Sequence, residues 1–143
     1  MNNCDLLERL LPVARDAGEI IMSIYATDIA ARSKADASPV TEADERAEHA
    51  IVKALTALTP GIPIVSEEAA AMGYLPLIGE CFWLVDPLDG TKEFISRNGE
   101  FTVNIALVEQ RCPVIGVVLA PALGRLFAGA QGFGGIAFSS PLP

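Results

Sequence analysis

Two carboxylates, Asp86 and Asp89, stand three residues apart around Pro87-Leu88 and run directly into Gly90-Thr91-Lys92-Glu93-Phe94. Their oxygens and the Leu88 carbonyl are crowded into one tight turn, where repulsion is costly unless a cation sits among them. Gly90 has no Cβ, so backbone there can approach a bulky anion closely. If Gly90-Thr91 opens a helical turn, its free N–H groups point at that anion. A hard cation beside a phosphate is the simplest chemistry such a turn supports. Asp, Pro and Gly are also ordinary turn residues, and a merely polar turn is the competing reading. The donors are oxygens, which suit Mg²⁺ rather than zinc, and no cluster of His and Cys competes with them. The only histidine, His49, falls in the middle of a helical pattern and reads as a surface residue.

The turn needs elements to hold it. An apolar run, Phe82–Val85, reads as a buried strand that ends at Asp86, with Pro87 forbidding further ladder pairing. Residues 4–26 carry Leu6, Leu10, Val13, Ala17, Ile20, Ile21 and Ile24 at helical spacing, with charged residues mostly between them. Pro12 is expected to kink this helix or to mark its true start. Gly18 is a candidate for close packing against a neighbouring element. Residues 27–40 read as a polar connector containing Lys34, which on its own is a solvated loop lysine.

A second helix is predicted over Thr41–Leu58, with Ala47, Ile51, Ala54, Leu55 and Leu58 as its buried stripe and Thr59-Pro60-Gly61 as its stop. Thr41-Glu42-Ala43-Asp44 has the form of a capping box, which gives Asp44 a structural task. Ile62–Val65 reads as a short buried strand delivering Ser66-Glu67-Glu68, a plain strand end by itself. Residues 69–80 form a loop or short helix. Residues 95–100 read as a polar loop, followed by strands over 101–108 and 114–119 joined by a hairpin at Gln110-Arg111. A further strand is expected over 123–128. Two helices followed by adjacent strands indicate an α+β layer covered on one face.

The chain has 143 residues, 51% of them apolar, which suits one domain with an ample core. A net charge of −8 with ten Lys+Arg argues against a nucleic-acid polymer or an anionic membrane as partner. An acidic protein binding an anionic substrate needs local cations, which again points to metal. Cys4, Cys81 and Cys112 are odd in number and widely spaced, as thiols of a reducing cytoplasm are. The N-terminus has no basic segment of a signal peptide, and no apolar run reaches the ~18 residues of a membrane span. A soluble, cytoplasmic protein is the expectation.

The stretch Trp83–Phe94, with Val65-Ser66-Glu67-Glu68 before it and Asn98–Ala106 after it, resembles the inositol monophosphatase superfamily, whose signature has the form D-P-[IL]-D-G-T. The continuation Thr91-Lys92-Glu93-Phe94 is most similar to the bacterial 3'(2'),5'-bisphosphate nucleotidase branch, since inositol-type members more usually have Thr-Thr-Asn-Phe. The resemblance spans roughly residues 5–133. It implies an α+β N-terminal domain with two long helices packed on a mainly antiparallel sheet. It implies a metal set of Glu67, Asp86, the Leu88 carbonyl and Asp89. Two or more Mg²⁺ ions would be held, for which Ca²⁺ or Mn²⁺ can substitute in binding. Asp44 and Thr91 would orient the attacking water, Glu67 would serve catalysis through the metal, and Lys34 would approach the site. Substrate contacts would come from Glu67, Leu88, Asp89, Gly90 and Thr91, the last two through backbone amides.

The substrate implied by the resemblance is a small phosphorylated nucleotide, 3'-phosphoadenosine 5'-phosphate, hydrolysed to AMP and phosphate. Its sulfated analogue is a second candidate. Physical reading of the residues alone stops at a phosphate ester with magnesium. Inositol or sugar phosphate hydrolysis by the same machinery is the nearest alternative. A non-catalytic fragment that binds metal or a partner is the alternative of another class. The resemblance also allows peripheral placement at the inner face of the cell membrane.

Superfamily members run to roughly twice this length, and their second half carries a further aspartate ligand, usually in a Trp-Asp pair. Here the sole tryptophan, Trp83, precedes Leu84. The expected organisation is therefore a metal-binding domain over 1–133, a divergent or truncated tail over 134–143, and no C-terminal domain. Self-association through surfaces left uncovered is expected with it, and weak or absent activity.

Overall fold

The computed structural model describes residues 2–26, 39–66 and 79–139. Helix α1 (Asn3–Tyr25) is opened by Asn2, whose side-chain oxygen accepts the Asp5 N–H at 2.8 Å. Leu6, Leu7, Leu10, Ala14, Ala17, Ile21 and Ile24 form its buried stripe, while Val13 and Ile20 flank it half-buried. Pro12 neither starts nor ends this helix. It lies on the exposed side, where water can satisfy the carbonyl that its missing N–H leaves without a helical partner. Gly18 is buried against the sheet: a Cβ there would lie 2.7 Å from Leu119 Cδ2 and 3.2 Å from Pro121 Cβ. The close packing expected of this glycine is present.

Helix α2 spans Pro39–Leu58. Its buried residues are Ala43, Ala47, Ile51 and Leu55, with Ala54 and Leu58 half-buried beside them. The expected capping box is not formed, because the helix begins two residues earlier and Thr41 already lies within it. Proline at a helix start loses nothing, since its missing N–H would have no helical partner there. His49 is exposed, as expected.

Six strands form one sheet in the order β1 (Ile64–Ser66), β2 (Cys81–Asp89), β3 (Thr102–Glu109), β4 (Cys112–Ala120), β5 (Arg125–Ala130) and β6 (Gly134–Ser139). β1 pairs with β2 in parallel, and every other pairing is antiparallel. The architecture is α+β. Trp83, Val85, Ile105, Leu107, Ile115, Val117, Leu126 and Ala128 face the two long helices and build the core with them. Alternate side chains must then point the other way. Leu84, Val118 and Phe127 lie on that second face, 45%, 40% and 50% exposed.

The β3–β4 hairpin turns at Gln110 and Arg111, as expected, with φ of 49° and 68°. Both values are positive because the right-handed twist of the strands selects a mirror-image two-residue turn. Residues 134–139, set apart by the sequence reading as the start of a divergent tail, form β6 and pair with β5 from Arg125↔Ser139 to Ala130↔Gly134. β6 is exposed throughout and is one edge of the sheet.

Candidate metal and phosphate site

β2 does not stop at Asp86, as the proline suggested, but continues to Asp89. Asp86 is the register partner of Asn104, and Asp89 is the partner of Thr102. Three steps along β2 thus match two along β3, which is a β-bulge. Pro87 has no N–H to give the ladder, and the bulge absorbs it. Pro87 and Leu88 turn inward and are buried, leaving Asp86 half-buried and Asp89 exposed on either side. The two carboxylates therefore emerge from one rigid distortion of a paired strand, not from a loose loop.

Gly90 follows in the left-handed region, with φ 97° and ψ 52°. A Cβ there would come within 3.1 Å of Glu93 Oε2 and 3.2 Å of Phe101 Cα, so conformation and space both require glycine. Helix α3 (Thr91–Ser96) starts directly after it, so the helical turn expected at Gly90-Thr91 is formed and shortens the expected polar loop. Thr91 is exposed in its first turn. The far end of α3 is pinned by Arg97, itself left-handed at φ 62°. Its Nη1–H donates to the Tyr25 carbonyl at 2.9 Å, and its guanidinium lies 4.4 Å from the centre of the Tyr25 ring. The rings of Tyr25, Phe94 and Phe101 lie 5.0–5.3 Å apart, locking α3 to the end of α1.

Around the turn, Asn104 Nδ2–H donates to Asp89 Oδ2 at 3.3 Å. A cavity of about 330 Å³ lies beside Asp86 on the face away from the long helices, lined by Leu84, Asn104, Ala106, Gly116 and Val118 among others. Asp44 is half-buried on α2, the helix that touches both α3 and β2. β1 ends at Ser66, whose register partner is Val85, the residue before Asp86. Glu67 and Lys34 lie outside the described residues. Among the described residues, no group of three His, Cys, Asp or Glu side chains converges on one point. Asp86 and Asp89 nonetheless offer oxygen donors alone, the type a hard divalent cation takes.

Cys81, on the same strand as the turn, is poorly suited to act as a nucleophile. Burial pushes the Cys81 thiol above its ordinary value, and the Glu109 carboxylate 4.0 Å from its sulfur adds to the shift. Thiolate is thereby suppressed. Arg97, Tyr25 and Asn104 carried no signal of a site role in the sequence reading, since each acts through a partner distant in the chain.

The profile of the inositol monophosphatase family matches residues 4–143. The chain belongs to the inositol monophosphatase family. Within that family it is 50% identical over 129 residues to the 3'(2'),5'-bisphosphate nucleotidase CysQ of Salmonella typhimurium, covering 89% of this chain and 52% of the relative. Among solved structures it is similar to CysQ from Bacteroides thetaiotaomicron, with a TM-score of 0.78 and 42% identity over 95% of this chain and 49% of that one. An inositol monophosphatase from Zymomonas mobilis superposes with a TM-score of 0.79 at 30% identity, covering 96% of this chain and 51% of that one. The chain spans about half the length of the relatives it matches. No helix among the described residues is long and apolar enough to cross a membrane.

Proposed function

We propose that this chain is the metal-binding half of a phosphatase that removes the 3'-phosphate of 3'-phosphoadenosine 5'-phosphate, giving AMP and phosphate. The observation that carries the reading is the bulged turn, which presents Asp86 and Asp89 on both sides of a buried Pro87-Leu88 and leads into Gly90. Likeness to two CysQ proteins supports the nucleotide substrate. Glu67, Asp86, the Leu88 carbonyl and Asp89 would hold Mg²⁺. Such an ion would supply positive charge against the phosphate and would acidify a water molecule. The Thr91 hydroxyl and the Asp44 carboxylate orient that water toward phosphorus. The Gly90 and Thr91 N–H groups donate to phosphate oxygens. Water would attack phosphorus as the bond to the 3'-oxygen breaks, the proton it gives up would pass through solvent to that oxygen, which leaves as the 3'-hydroxyl of AMP, and no covalent enzyme intermediate is required.

Similarity to an inositol monophosphatase favours inositol phosphate as the second reading. The two are separated by measuring phosphate release from each ester in Mg²⁺. Slow release that prefers the bisphosphate nucleotide is expected. Preference for inositol phosphate would replace the first reading with the second. Release from neither, with Mg²⁺ binding retained, would leave a binding fragment.

We propose that the face of the sheet opposite the long helices is a contact surface. Leu84, Val118 and Phe127 expose apolar surface on the face opposite the long helices, and among the described residues β6 is an edge of the sheet. Self-association should follow. Light scattering is expected to report an apparent mass that rises with concentration, and a constant monomer mass would exclude it.

A further inference from the structure

Asn104 is bonded to one carboxylate of the turn and sits across the ladder from the residue that carries the other. Strand register sets it directly across from Asp86. Its amide N–H reaches along the strand to Asp89 Oδ2 at 3.3 Å, across the extra residue that the bulge inserts. The amide nitrogen must be the atom facing Asp89, because a carboxylate can only accept. We propose that Asn104 is a positioning residue: a neutral donor that aims the Asp89 carboxylate alongside Asp86 without cancelling the charge of either. This rests on the reading of Asp86 and Asp89 as cation ligands.

The choice of side chain follows from what the alternatives would do. A lysine would neutralise the carboxylates and compete with the cation for them. An aspartate would add a third negative charge, straining the metal-free protein and favouring the ion. An amide orients one carboxylate and leaves the field of both intact. Partners of this outer kind typically account for about 10–100-fold in metal affinity.

Calorimetric titration of the full chain with Mg²⁺ alone, beside thermal melting without metal, tests the proposal. Asn104→Ala should weaken Mg²⁺ binding about tenfold with little change in metal-free melting, since Asn104 is not buried. Asn104→Lys should abolish binding while raising the metal-free midpoint, and Asn104→Asp should lower that midpoint. A structural role alone would move melting in one direction and leave affinity to follow it. Asn104→Ala titrating like the wild type would overturn the proposal. Asp86→Asn titrating like the wild type would instead overturn the metal reading on which it rests.

A second readout needs no metal. The Asn104 side-chain amide resonance should shift when Asp89 is replaced by Ala in the metal-free chain. An unmoved resonance would overturn the proposal even if Asn104→Ala failed to fold.

Discussion

Asp86→Asn is expected to remove Mg²⁺ binding, with affinity falling by at least about 100-fold, or about 2.7 kcal/mol. The substitution keeps the size of the side chain and replaces a charged oxygen pair by one neutral carbonyl oxygen and an amide. Loss of an outer partner costs about 10–100-fold, and loss of a ligand's charge should exceed the upper part of that range. Asp86 also sits within one bulge of Asp89, so removing its charge relieves repulsion in the metal-free state. Metal affinity should therefore collapse while metal-free stability holds or rises. Calorimetry and thermal melting on the same two samples read the two quantities. Indistinguishable titrations would remove the metal hypothesis altogether.

Trp83→Ala should be the most damaging single change to the fold that carries the site. Trp83 is fully buried on β2, three residues before Asp86. Its Nε1–H donates to Thr59 Oγ1 at 2.8 Å, joining β2 to the chain just beyond the end of α2. Truncating a buried tryptophan costs about 3–5 kcal/mol. A domain of ordinary stability has about 5–15 kcal/mol in total, so the variant should be largely unfolded or close to it. Trp83→Phe keeps most of the apolar volume and leaves the Thr59 hydroxyl without its donor, costing about 1–3 kcal/mol. Urea denaturation followed by circular dichroism orders the three proteins. A Trp83→Ala unfolding free energy within about 1 kcal/mol of the wild type would show that this residue does not anchor the strand.

Much of the architecture is legible because its causes are local. Apolar spacing marks α1 and α2, since one turn of helix repeats within four residues and each stripe is a property of one segment. Gly18 stands out within such a stripe, and its contact with Leu119 explains it. The acidic residues around Pro87, the glycine after them and the flanking segments suffice to place the chain in its family. The hairpin at Gln110-Arg111 is visible as a polar interruption between two apolar runs.

Other features depend on which strand lies beside which. Pro87 read alone ends a strand, yet β3 accommodates it through a bulge, and β2 runs on to Asp89. Thr41 has the residue type of a cap but falls inside a helix that begins at Pro39. β6 becomes a strand beside β5 although its glycines weaken any local preference for one. Asn104 meets Asp89 across 15 residues, and Arg97 meets Tyr25 across 72. By itself the sequence determined the two long helices, most of the strands and the α+β class, because periodicity and turn chemistry act within a few residues, and its motif from Trp83 to Phe94 carried the likeness to the family. Only the tertiary structure decided the bulge that aims the carboxylates and the side chains that brace them, because register between distant strands places both.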